Sequence, residues 1–180
     1  MTSWGSTMHP AVHVLWLRVR TLDPAVLAEE GLKPDRYLEA LRKEMRRNDI
    51  RTLVIDVRGA SGHDPAMAEQ LFGLIAQRPY RVLKDMTVRS RTPPEHYPLA
   101  VPRPGFYAMA EALFLPVDGH GPVGLRSDDP RLDMLPAPKK AFDGKVYVVC
   151  DGLTRDAAAA FVMLAKRTRR ARIVGEETGS

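Results

Sequence analysis

The chain has 180 residues, 27 Lys+Arg against 22 Asp+Glu, a formal charge of +5 and 44% hydrophobic residues. That composition excludes a disordered or fibrous chain and fits one globular domain able to bury a core. A single cysteine, Cys150, excludes an internal disulfide framework and a cysteine-rich zinc site.

Residues 1–10 read as a disordered lead, with no basic start and apolar core of a signal peptide. His13–Val19 is strand-like and ends before the Asp23-Pro24 break. A helix is predicted from about Asp35 to Arg47, with Tyr37, Leu38, Leu41 and Met45 on one stripe and Asn48-Asp49 as its stop. Thr52–Val57 is nearly continuous apolar and β-branched sequence, which predicts a strand covered on both faces. After a glycine turn, Asp64 and Pro65 are N-cap and first helical residue of a helix expected to run to about Gln77.

A strand is expected within Val82–Arg91. Residues 92–143 then hold ten of the fifteen prolines and one short helical candidate, Tyr107–Phe114. A segment of that length is either a lid or binding loop, or an extended surface loop. The last unit repeats the earlier pattern: strand 145–150, helix from about 155 to 168, strand Ala171–Val174. Strands alternating with helices predict an α/β domain with a mainly parallel sheet. No apolar run is long enough to span a membrane.

Two basic clusters, Arg42 to Arg51 and Lys166 to Arg172, fall at predicted helix ends, where cations suit the negative dipole end and remain solvated. An anionic partner is the other reading of them. No zinc-knuckle spacing or RNP-like aromatic motif supports nucleic acid as that partner. Cys150 closes a buried-looking strand and is expected to be an inert small hydrophobe. His9, His63, His96 and His120 lack the i+4 pairing of a metalloprotease helix, and Asp128-Asp129 before Pro130 reads as a turn.

Two turns could carry chemistry. Gly59 and Gly62 follow a buried strand, where the absence of a Cβ leaves backbone N–H groups unobstructed. The helix starting after Leu153 offers unpaired N–H groups and a positive dipole end. Side by side, the amides near Gly62 and Ala157 could hold an oxyanion, each donor worth about 3 kcal/mol of barrier. The same glycines could equally serve only a tight strand-to-helix turn. Ser61 is read as a turn residue.

These stretches resemble the tail-specific (C-terminal-processing) serine peptidase family. Leu53-Val54-Ile55-Asp56-Val57-Arg58-Gly59-Ala60-Ser61-Gly62 is similar to its L-x-I/L-D-L-R-G/N-N-x-G-G segment. Asp151, Thr154, Ala157, Ala158 and Phe161 match D-x-x-T-x-S-A-A-E-x-F, and Arg170 to Gly179 match R-A-x-I/V-V-G-E-x-T-G. Tyr80–Lys84 and Val88–Ser90 are similar to the family's middle strand. The resemblance runs from about Val12 to Ser180, so residues 11–180 are expected to form the peptidase-like core. It implies a crotonase-like ββα superhelix, an oxyanion hole at Gly62 and Ala157, and substrate contacts from Gly59, Ser61 and Thr154. It implies no metal and no organic cofactor, peptide or protein C-terminal segments as partners, and a setting compatible with an extracytoplasmic location; it leaves the oligomeric state open.

The position of the family serine holds Asp156, which has no hydroxyl to acylate. Its simplest role is that of a first-turn acid offsetting the helix dipole. The family's general base is not matched either. A lysine just past the G-x-x-T-x-G stretch would lie beyond Ser180, so the core is expected to be truncated. The histidine of the tricorn-like branch is replaced by Arg18, with His13 five residues earlier. The resemblance thus implies a serine-type peptidase domain that is inactive as it stands, or alternatively a non-catalytic peptide- or protein-binding module of the same fold.

Overall fold

A computed structural model describes residues 2–82, 87–88, 114–116, 123–125 and 132–179. It divides into two units, residues 1–80 with 136–180, and residues 81–135.

The first unit is built on a five-stranded sheet. Its strands are β1 (Trp4–His9), β2 (Val14–Val19), β3 (Thr52–Asp56), β7 (Lys145–Cys150) and β8 (Arg172–Gly175), side by side in that order. β1 is antiparallel to β2, and all other neighbours are parallel. Helices α1 (Pro24–Glu29) and α2 (Pro34–Arg47) connect β2 to β3. Helix α3 (Pro65–Phe72) follows β3, and α4 (Ala157–Arg167) connects β7 to β8. This is the mainly parallel α/β architecture that the sequence predicts. In the second unit, β4 (Thr87–Val88), β5 (Phe114–Pro116) and β6 (Val123–Leu125) form an antiparallel sheet in the order β4-β6-β5.

Alternation along the parallel strands places Leu15, Leu17, Leu53, Ile55, Val146 and Val148 on one face, all buried. They share the core with Leu38, Leu41, Leu71, Phe161 and Leu164 of the helices. The opposite face carries Val14, Trp16, Val54 and Tyr147, which are only half-buried. Among the described residues, β3 is therefore fully buried on one face and only partly covered on the other, less than the continuous apolar run predicts. Neighbouring apolar side chains on the sheet shield one another on the other side.

The lead is not disordered. Residues 4–9 pair with β2 along their full length. Trp4 is buried, donates its indole N–H to the Thr21 carbonyl at 2.8 Å and meets Tyr37 edge-on at 5.7 Å. Ser3 donates its amide and hydroxyl to the two Glu30 carboxylate oxygens at 2.9 and 2.7 Å. These bonds hold Glu30 below the usual carboxylate range. One tryptophan, one serine and main-chain pairing fix a strand whose other side chains are mostly solvated.

Helix α3 stops at Phe72 instead of near Gln77: Leu74 N and Ile75 N turn back to Leu71 O and Phe72 O at 3.1 and 2.9 Å, i→i−3 bonds that tighten the chain out of the α-helix. Leu74 O accepts from Phe142 N at 2.7 Å, and Ile75 O accepts from the Arg170 guanidinium at 2.7 Å. Arg170 also donates to Phe142 O at 2.6 Å and Gly144 O at 3.0 Å. Of the strand expected within Val82–Arg91, Thr87–Val88 is a strand and most of the rest lies outside the described residues. So does the helical candidate Tyr107–Phe114, except Phe114, which begins β5. The proline-rich segment, His96, His120 and Asp128-Asp129 also fall largely or wholly outside. No helix among the described residues is long and apolar enough to cross a membrane.

Candidate active site

β3 and β7 end side by side, and their pairing continues past the strand ends. Val57 N donates to Val149 O at 2.9 Å, Arg155 N to Ala60 O at 2.9 Å and Ala157 N to Gly62 O at 2.8 Å. The glycine turn therefore lies against the start of α4, as expected for neighbouring strands 52–57 and 145–150. Ligands of open parallel sheets bind outside these carboxyl ends.

Asp151 and Thr154 tie the turns together. The Asp151 Oδ1 accepts from Gly59 N at 2.9 Å, on the other turn, and from Leu153 N at 3.1 Å. Those amides, Gly59 foremost, and the Thr154 hydroxyl hold the Asp151 carboxyl below its ordinary range. Thr154 is fully buried; its Oγ1 accepts from Asp151 N and lies 3.0 Å from both Val57 O and Asp151 Oδ1. Asp151 and Thr154 thus brace the site, and Thr154 has no surface to offer a substrate.

In the first turn, Asp56 is buried and receives both arms of Arg58, at 2.9 and 2.8 Å. Burial pushes its carboxyl up, but the Arg58 bonds and charge outweigh that and hold it low. Gly59 has φ +68°, a left-handed value that a Cβ would strain. Gly62 is required for a different reason. A Cβ there would lie 2.4 Å from the Leu22 carbonyl carbon and oxygen, because Ser61 O holds Leu22 N at 2.7 Å.

Of the expected oxyanion pair, Gly62 and Ala157, one amide is already engaged. The Ala157 N–H donates to Gly62's own carbonyl, so one of the two expected donors is occupied by its partner residue.

Asp156 is the N-cap residue of α4, with φ +54° and ψ −126°, and its exposed side chain makes no capping bond. It stands one residue before the first turn in which it was expected, still at the positive end of the α4 dipole. Two other aspartates show the ordinary arrangement: Asp23 and Asp64, with extended φ of −92° and −99°, accept from Ala25 N and Ala66 N at 2.9 Å. Asp156 holds a backbone that costs about 1–3 kcal/mol for a non-glycine residue. Such a strained strand-to-helix turn is how hydrolases project a nucleophile clear of the sheet.

Beside Asp156 is a cavity of about 480 Å³ between α4 and the segment after β8, walled by Met163, Ile173, Lys166, Glu176 and Glu177. Cys150 reaches it with its thiol 3.3 Å from Glu176 O. Burial, aided by Asp151, pushes that thiol up, away from a reactive thiolate. Among the described residues no group of three potential metal ligands occurs.

His13 is remote from this site: its Nδ1 lies 2.8 Å from Asp49 O at the opposite end of β2. Arg18 pairs in register with Asp56 and so borders the first turn. His63 stands just before Asp64, the N-cap of α3. The Gly62–Ala157 bond brings its backbone beside that of Asp156, a proximity that requires knowing which strands are neighbours.

The sequence profile of Peptidase family S41 matches residues 17–180. No curated protein sequence matches the chain significantly. Among solved structures, the photosystem II D1 C-terminal processing protease is 15% identical, with TM-score 0.52 over 92% of this chain and 31% of its own. Mature CPAF is 17% identical, with TM-score 0.57 over 92% of this chain and 37% of its own. A lipoprotein from Streptococcus agalactiae is 9% identical, with TM-score 0.53 over 99% and 50%. The chain thus spans a third to a half of these proteins, and the likeness establishes a shared fold. With the profile covering most of its length, this chain belongs to peptidase family S41, the tail-specific serine peptidases.

Proposed function

We propose that this S41 domain binds extended C-terminal segments of peptides or proteins without cleaving them. The observation that carries the reading is Asp156: the resemblance gives this position to the family serine and its turn is strained at φ +54°, but its side chain has no hydroxyl to form an acyl-enzyme. The Ala157–Gly62 bond adds support, since the amide best placed to stabilise an oxyanion already has an acceptor.

Two features favour peptide binding. Among the described residues, β8 is an edge strand of the sheet, with Val174 half-exposed, so its outer main-chain groups can pair with an added strand. The cavity beside Asp156 offers apolar walls from Met163 and Ile173 for a side chain of that added segment. Calorimetric titration with a set of unstructured peptides, each recovered and weighed by mass spectrometry, tests both halves. Saturable binding with intact peptide is expected. Steady cleavage would make the domain a peptidase, and no binding across the set would remove the peptide groove.

A further inference from the structure

The C-terminal half of α2 and the loop 138–143 enclose a basic recess in the first unit. Two adjoining cavities, of about 360 and 420 Å³, share Arg42, Arg46, Lys139 and Lys140 in their walls, and Met45 and Phe142 line the first of them. Four carboxylates also border the recess. Glu39 is bonded to Lys43 at 2.9 Å, Asp49 to Arg51 at 2.7 Å, and Asp35 accepts from the Gln70 side chain. Asp143 is the fourth, and its field falls on Arg170. None of the four shared cationic side chains makes a hydrogen bond or ion pair among the described residues.

Arg42 is the unusual member. Its Nε–H is closed off from solvent and has no acceptor. Burial lowers the guanidinium's hold on its proton, with Glu39 and Asp35 only partly compensating. Cations in the last turn of a helix need no ligand to explain them, and Arg46 has that explanation. Arg42 lies a turn earlier, and the two lysines come from a separate loop, so the helix end does not account for their convergence. A guanidinium N–H closed off from water without an acceptor is costly, and a fork of N–H donors matches a tetrahedral oxyanion.

We propose that this recess binds a small phosphorylated molecule, with Arg42, Arg46, Lys139 and Lys140 surrounding its phosphate oxyanions. The two adjoining cavities suit a ligand with more than one phosphate. The site is separate from Asp156 and does not depend on the peptide-binding reading.

Titration calorimetry of the 180-residue chain with inorganic phosphate and with pyrophosphate, at constant ionic strength balanced by chloride, tests this. Thermal unfolding in the same buffers gives a second readout. Both anions should bind saturably at one site, pyrophosphate roughly tenfold tighter, and both should raise the unfolding midpoint. Arg42→Met should abolish binding and leave the midpoint in chloride unchanged or higher, because a half-buried cation with an unsatisfied N–H is removed. Lys139→Ser combined with Lys140→Ser, on an exposed loop, should weaken binding at least roughly tenfold while the midpoint in chloride stays put. No saturable binding of either anion overturns the proposal, as does binding that survives both sets of substitutions. Binding of phosphoinositide vesicles without binding of pyrophosphate would overturn the assignment to a small molecule.

Discussion

The backbone amide of Ala157 donates to the carbonyl oxygen of Gly62 across 2.8 Å, joining the two turns that flank the candidate site. For those turns to present two amides to one oxyanion, the Gly62 peptide would have to rotate and release Ala157. That rotation would take the Gly62 carbonyl away from the first free amide of α4 and leave it in need of another donor.

The first prediction concerns catalysis. The chain should not hydrolyse unstructured peptides and should not be labelled by fluorophosphonate probes. Asp156→Ser should restore little, because the new hydroxyl would meet an amide still tied to Gly62, and the Asp156 side chain has no hydrogen-bonding base beside it among the described residues. Probe labelling and a peptide-cleavage assay on both proteins check this. Turnover that persists in Asp156→Ala would place the nucleophile elsewhere.

Asp156 and Asp64 should respond in opposite directions to removal of their side chains. Asp156→Gly should stabilise by about 1 kcal/mol, because glycine adopts φ +54° freely and no capping bond is lost. Asp64→Ala should destabilise by about 1 kcal/mol through loss of the Ala66 cap. Urea unfolding of the two variants, compared with the parent, measures both. A destabilised Asp156→Gly would mean that the side chain has a partner.

Much of this site could be read along the chain. Strand, turn and helix were legible around residues 52–62 and 145–160 because apolar runs end at glycine or aspartate on both; that the two strands are neighbours is seen in the structure. The direction of a single peptide group was not. Whether Ala157 N–H points at a ligand or at Gly62 O depends on one ψ rotation, to which composition is blind. β1 was missed for a related reason: Gly5, Ser6 and Thr7 carry no apolar alternation, and pairing with β2 plus the burial of Trp4 is a tertiary effect. The end of α3 was missed because the change from i→i−4 to i→i−3 bonding at Leu74 and Ile75 leaves no mark in an apolar run.

Asp56 makes stability pH-dependent. Its carboxyl titrates lower in the folded chain than in the unfolded one, so the Arg58 pairing contributes fully at neutral pH. That contribution is lost as pH falls from about 4, the unfolded value, through the depressed folded value. Asp56→Asn should lower stability at pH 7 by about 1–2 kcal/mol and flatten the acid limb of the profile. Denaturation midpoints from neutral pH down to about pH 2 test this; a parallel offset at every pH would assign the loss to packing instead.

Arg170 should be a structural hot spot. Its three carbonyl partners, Ile75, Phe142 and Gly144, would be left short of donors in Arg170→Ala, at a cost of about 3 kcal/mol. Arg170→Lys should recover only part, because an ammonium cannot reproduce the planar fork. Chemical unfolding of both variants reads the difference, and equal stability of the two would show that charge alone suffices.

The last prediction addresses the charge beside the proposed groove. A carboxylate at the mouth of α4 should repel a ligand's free C-terminus, so Asp156→Asn should tighten binding of free-acid peptides, more at low salt than at high salt. Amidated versions of the same peptides should change little. Paired titrations measure this directly. Equal responses from both peptide forms would place the ligand's C-terminus away from Asp156.

The Arg170 clamp has a bearing on the chain's architecture as well. It joins Ile75, just before the inserted unit of residues 81–135, to Phe142 and Gly144, just after it, and Phe142 N to Leu74 O fastens the same stems. The excursion therefore departs and returns through a gate secured by the first unit alone. Closing a loop on stems already held in place costs little entropy, and that cost rises only slowly with loop length. The position is thus a natural port for exchange of sequence: the insertion can be lengthened, shortened or replaced by a short linker while the sheet and its two facing turns retain their foundation.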